Sequence, residues 1–145
     1  MELINRILYN LLEVHPLHTL VVHFPIALTG AALFFVFIAL FRRNELLEQA
    51  AFANISLAAV STIAAAFTGM RDNNDIYDGA APNAGAKIAL ATSLFIVTTL
   101  LAVVRWRNPG IFYSSGRVLY VAGYFVSFVI AAVLGFLGGV ILYGF

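Results

Sequence analysis

A bundle of four membrane-spanning α-helices, with a short amphipathic helix before it, is the all-α fold that the sequence predicts. Three observations predict it. The 145 residues are 62% hydrophobic and only 10% charged, against roughly 45–50% and about 25% in an ordinary soluble domain. Four stretches contain no Asp, Glu, Lys or Arg: Val14 to Phe41, Gln49 to Met70, Ile88 to Val104 and Val118 to Phe145. Each matches the apolar length, about 17–25 residues, that carries a helix across a hydrocarbon layer of roughly 30 Å. The segments between them hold nearly all the charge.

A single membrane domain, 1–145, follows, with an interfacial helix over 1–13 and spans over 14–41, 49–70, 84–105 and 118–144. In the first segment Leu3, Ile4, Ile7, Leu8, Leu11 and Leu12 recur at helical spacing, with Glu2, Asn5, Arg6, Tyr9 and Asn10 on the other side. That pattern suits a helix lying on the membrane surface, and it equally suits packing against the end of the bundle. Glu2 and Arg6 interrupt the N-terminus and no small-residue cleavage site follows, so the segment is expected to stay attached. The third charge-free stretch is the shortest. Asn83 to Lys87 extend it, because a lysine near a helix end carries its ammonium out to the headgroups.

Short loops rich in Lys and Arg are retained on the cytoplasmic side. The first connection holds Arg42 and Arg43 and the third holds Arg105, Arg107 and Arg117. The second sets Arg71 and Lys87 beside Asp72, Asp75 and Asp78, and the N-terminal segment has only Arg6. Both termini and the acidic loop are therefore expected outside. Aromatic belts agree, with Trp106, Tyr113 and Tyr120 at the inner interface and Tyr9, Tyr77 and Tyr143 at the outer one.

Along the fourth span Gly123, Ser127, Ala131, Gly135 and Gly139 follow one another every four residues. In lipid, helices associate largely by close van der Waals approach, so this stripe is expected to meet another helix, of this chain or of a partner. The second span, rich in Ala and with Ser56, Ser61, Thr62 and Thr68, is expected to be similarly buried.

All three histidines fall within His15-Pro16-Leu17-His18-Thr19-Leu20-Val21-Val22-His23, at the outer end of the first span. Pro16 suits a first helical turn. Pro25 lies inside the span and frees the carbonyl of Val21, which predicts a kink beside His23. His15 and His18 share a face, whereas His18 and His23 are about 140° apart around the axis and about 7.5 Å apart along it. One straight helix therefore cannot aim all three at one ion. A metal site drawn from His15, His18 and His23 needs ligands from elsewhere, Asp72 first and then Asp75, Asp78 and Met70, and two histidines with one carboxylate would suit zinc, iron or copper. Haem b on His23 or His18 lacks a second imidazole from another helix, so it requires Met70, single ligation or a second copy. The structural reading stands beside both: His15 and His18 in interfacial water, His23 bonded to a neighbouring helix.

Other chemistry is excluded or weak. Without cysteine there is no disulfide, iron–sulfur cluster, thiolate zinc site or thiol nucleophile. Eight basic against seven acidic residues leave no surplus to neutralise a row of phosphates, so nucleic acid is not an expected partner. No phosphate cradle, nucleophile elbow or metalloprotease pair of histidines occurs. The acids of 72–79 are three apart, unlike calcium-loop ligands, and read as a solvated loop. Apart from His23 the spans carry no ionisable residue at depth, which speaks against an ion or proton carrier.

The segment from His15-Pro16-Leu17-His18 to Val22-His23-Phe24-Pro25-Ile26-Ala27 resembles the opening motif of the bacterial membrane family called domain of unknown function 2231. Gly69-Met70-Arg71-Asp72 resembles that family's Gly-x-x-Asp after the second helix, and Gly138-Gly139-Val140-Ile141-Leu142-Tyr143-Gly144 its closing segment. The resemblance implies a four-helix membrane domain in the company of cytochrome c or Rieske-type modules. Family members often carry a His at the start of the third helix; here Ala81-Pro82-Asn83-Ala84-Gly85-Ala86-Lys87 has none. If that His is a ligand in the relatives, this chain keeps the scaffold without the site.

Two functions are therefore expected. The first is a non-catalytic accessory subunit of a bacterial membrane redox complex, respiratory or photosynthetic, in the cytoplasmic membrane, bound to other subunits or to copies of itself. The second is an electron-transfer protein that binds haem b or a divalent metal through the outer histidines.

Overall fold

The computed structural model of the chain describes residues 2–9 and 17–143, the side chains of 6–9, 17 and 140–143 excepted. His15, Pro16, Leu11, Leu12 and the ends of the first and last predicted spans lie outside the described residues, as does the side chain of Tyr9. Helix α1 runs Glu2–Tyr9, α2 Leu17–Arg42, α3 Glu45–Tyr77, α4 Ala84–Arg107 and α5 Arg117–Tyr143, with a 3₁₀ turn at Ile111–Tyr113. No strand occurs among the described residues. Helices α2 to α5 are each long and apolar enough to cross a membrane. Each packs on its neighbour in sequence and α5 returns to α2, which closes an up-down-up-down bundle. His18, His23 and the α3–α4 turn lie at one end. Arg42, Arg43, Arg105, Arg107 and Arg117 lie at the other.

Short connections with strong stop signals set these boundaries. Arg43 closes α2 in the left-handed region (φ 47), and Asn44 then caps α3, its Oδ1 accepting the N–H groups of Leu46 at 2.9 Å and Leu47 at 3.3 Å. Asp78 (φ 50) and Gly79 (φ 80) end α3, with the Gly79 N–H reaching back to the Asn73 carbonyl at 2.8 Å. Asn108-Pro109-Gly110 ends α4. Pro25 sits inside α2 without ending it. Directly after Arg71, the acidic segment expected as a loop is instead helical through Tyr77. An Arg71–Asp75 pair one turn apart supports it, at 3.2 Å. Helix α3, with 33 residues, is about 50 Å long by the α-helical rise, so its ends stand clear of the hydrocarbon layer.

The core is made of small residues. Ala32, Val36 and Ala39 of α2 face Ala51, Ile55 and Ala58 of α3, all six fully buried, and this helix pair makes the most extensive contact in the bundle. Alanines let the two backbones approach closely, which is what holds helices together where lipid is as apolar as the side chains. Buried hydroxyls bond back to their own helices: Thr29 to Pro25, Thr62 to Ala58, Thr98 to Leu94 and Ser127 to Gly123. Large apolar side chains such as Phe34, Phe67, Leu100 and Phe136 point outward, as expected of a surface solvated by acyl chains. Leu3 and Ile4 of α1 are exposed as well, so they do not pack against the end of the bundle.

Candidate functional site

At the histidine end, His18 stands in the first turn of α2, where backbone N–H groups have no partner within the helix. Asp72, near the end of α3, supplies one: its Oδ2 accepts the His18 N–H at 3.3 Å. One turn earlier on the same face, Thr68 Oγ1 lies 3.3 Å from His18 Nδ1. The Thr68 hydroxyl is already directed at the carbonyls of Ala64 and Ala65, both at 3.1 Å. Nδ1 is then the donor in this contact. Gly69 makes the approach possible, because a Cβ there would stand 2.9 Å from His18 Cε1. The Gly-x-x-Asp motif thus has a physical role: glycine clears a seat for the imidazole, and aspartate caps the helix that carries it.

Among the described residues the other predicted ligands do not join this cluster. His23 is exposed, and its Nδ1 bonds to the carbonyl of Thr19 on its own helix. Asp75 pairs with Arg71, and Met70 points outward at 62% exposure. Among the described residues no group of three His, Asp or Glu side chains comes together in a way that could hold a metal ion. The structure therefore brings together His18 and Asp72 and leaves His23 apart.

The clasp carries a stability prediction. Asp72→Ala leaves the start of α2 uncapped, so it is expected to cost about 1 kcal/mol in thermal unfolding in detergent and to speed amide exchange at His18. Asp72→Asn keeps an acceptor and should lose less. Unchanged exchange at His18 in the Ala variant would show that the contact contributes nothing.

The opposite end holds a network that the sequence reading did not find. Glu48, in the first turn of α3, receives Arg105 of α4 in a bidentate pair, Nε to Oε1 at 2.7 Å and Nη2 to Oε2 at 2.8 Å. Tyr120 of α5 bonds Glu48 Oε1 at 3.0 Å and Tyr124 at 2.7 Å. The guanidinium also lies 5.5 Å from the Phe52 ring centroid. Three helices are thereby tied through one carboxylate whose side chain is 1% exposed. Tyr120, expected in the interfacial belt, is a correction: it is buried because its hydroxyl is needed by Glu48, whereas Trp106 and Tyr113 are exposed. The available signal was topological. Opposite charges sit just outside the ends of two consecutive antiparallel spans, at one level of the bundle, and Tyr120 and Tyr124 share a helix face.

Along α5, a Cβ at Gly123 would lie 2.6 Å from Leu101 of α4, and one at Gly135 would lie 3.0 Å from Ile26 of α2. Ser127 and Ala131 between them are fully buried. At Gly139 a Cβ would meet nothing within 4 Å.

Comparison with curated proteins and with solved structures found no match. A family model, described as "Predicted membrane protein (DUF2231)", matches residues 14–145. That span begins just before the histidine motif and takes in all four long helices, so the chain belongs to the DUF2231 family of predicted membrane proteins.

Proposed function

We propose that the chain is a non-catalytic accessory subunit of a bacterial membrane redox complex, held in the cytoplasmic membrane with both termini on the outer side. The observation that carries this reading is the use to which its buried charge is put. Glu48 and Arg105 satisfy each other and two tyrosines, and Asp72 and Thr68 are engaged in seating His18. Each group supports a helix-to-helix tie, and none is aimed with others into a shared cleft. The redox setting rests on the family resemblance, which implies a domain sometimes joined to cytochrome c or Rieske-type modules. The arginine-rich end supports the orientation.

The alternative, a haem- or metal-binding electron carrier on His18 and His23, draws on two imidazoles placed at one end of the bundle. It has less support because, among the described residues, His23 lies apart and no third His, Asp or Glu joins His18 and Asp72.

One experiment separates the two. Native membranes are solubilised gently, resolved by native electrophoresis and stained for haem, and the chain is then released and its absorption spectrum recorded oxidised and reduced. The accessory reading expects the chain to migrate with a haem-staining complex and to be colourless once released. Migration alone at monomer size would overturn it, and a Soret band on the released chain, lost in His18→Ala or His23→Ala, would establish the carrier.

A further inference from the structure

An open groove of about 360 Å³ runs between the end of α2 and the start of α5 at the arginine-rich end. Its walls are Phe37 and Leu40 from α2 and Val121, Ala122 and Phe125 from α5, and Arg117 stands at its edge. We propose that this groove binds an anionic phospholipid, with the headgroup phosphate on Arg117 and one acyl chain laid along Phe37, Ala122 and Phe125.

Polarity along the groove matches the ligand. Arg117 opens α5 at the level of exposed Trp106 and Tyr113, the aromatic residues that mark a membrane–water interface. Phe125 lies two turns further along α5, about 12 Å toward the bilayer centre by the helical rise. The lining between is apolar. A phospholipid presents the same order, charge at the interface and hydrocarbon below. The volume falls within the range of small-molecule sites, about 300–1,000 Å³.

Charge selects the headgroup. Among the described residues Arg117 has no ion pair or hydrogen bond from its side chain, and neither do Arg42, Arg43 and Arg107 at the same end. Of the acids at this end Glu48 is paired with Arg105 at 2.7 Å, and Glu45, hydrogen-bonded to the neutral Gln49 amide at 3.3 Å, is one carboxylate against these four arginines. An exposed cation at headgroup level, beside a furrow that accepts a chain, favours a net-negative lipid over a zwitterionic one. An apolar helix from a second copy would fill the furrow but supply no anion for Arg117.

The test uses the full chain, delipidated in mild detergent and titrated with phosphatidylglycerol or phosphatidylcholine of identical acyl chains, with bound lipid counted by native mass spectrometry. Phosphatidylglycerol is expected to bind more tightly. Arg117→Gln should weaken it about fivefold, the worth of one basic residue at an anionic surface, and leave phosphatidylcholine unchanged. Ala122→Trp fills the furrow from an exposed position and should weaken both lipids. Arg117 is exposed and unpartnered, so its replacement decides the question even if the Trp variant folds poorly. Equal binding of the two lipids, unaffected by Arg117→Gln, would reduce the groove to ordinary lipid contact and overturn the proposal. So would a dimer that Ala122→Trp dissolves without any lipid dependence.

Discussion

Arg105→Ala is expected to be the most damaging single substitution in the bundle, lowering stability in detergent by about 3–5 kcal/mol. The size follows from what is left behind. Glu48, its side chain 1% exposed, would lose both guanidinium bonds and keep only the Tyr120 hydroxyl. A carboxylate in that position has neither water nor a counter-ion, and an unpaired buried charge costs far more than the pair contributes while intact. Glu48→Gln should be nearly as severe, because it strands the guanidinium. Arg105→Lys should not rescue, since an ammonium cannot reproduce the two parallel bonds or the contact with Phe52.

The double replacement Glu48→Met with Arg105→Met separates pairing from packing. Both charges leave together, two flexible apolar chains take their volume, and Tyr120 keeps Tyr124 as a partner. The double variant is expected to be more stable than either Glu48→Met or Arg105→Met alone, which in a double-mutant cycle is a strong favourable coupling. Reversible unfolding in mixed micelles reads all four proteins. Single variants close to the parent, or strictly additive effects, would show that the network is an ornament of the bundle and not its tie.

How much of this was legible beforehand depends on the length scale of the signal. The spans were readable because a charge-free stretch of bilayer length has few other uses, and Asn44, Gly79 and Asn108-Pro109 punctuate the chain where helices stop. Asp72 could be set beside His18 because both belong to the same end, and the structure joins them at 3.3 Å. What could not be read was facing. A helix that is apolar all round has no preferred side in its periodicity, so nothing in the sequence turned Glu48 and Arg105 inward or His23 outward. Glu48 and Arg105 are 57 residues apart and look like charges anchoring two span ends. Only the antiparallel stacking of α3 on α4 makes them neighbours. The acidic segment after Met70 looks like a loop for a related reason: its charge suggests solvent, and solvent exposure does not prevent a helix from continuing past the bilayer.

Gly123→Val is the second substitution expected to have a large effect, about 1–3 kcal/mol for overpacking a filled site. Even one added methyl would lie 2.6 Å from Leu101 Cδ2 and 3.2 Å from its Cγ, so the whole side chain must move, and Leu101 is only 7% exposed. If it cannot, α4 and α5 separate. Separation is costly here because lipid provides no hydrophobic pressure to close the gap, and the buried contacts of Ser127 and Ala131 on the same stripe are at risk as α5 shifts. Two companions test this cause against a general intolerance of side chains in the helix. Gly123→Ala combined with Leu101→Ala should recover stability relative to Gly123→Ala alone, because the space given up by leucine receives the new methyl. Gly139→Ala, on the same stripe with nothing within 4 Å of the added carbon, should be neutral or stabilising by up to about 1 kcal/mol through helix propensity. Equal losses at Gly123 and Gly139, with no recovery in the double variant, would refute close packing against Leu101 as the reason for a glycine at position 123.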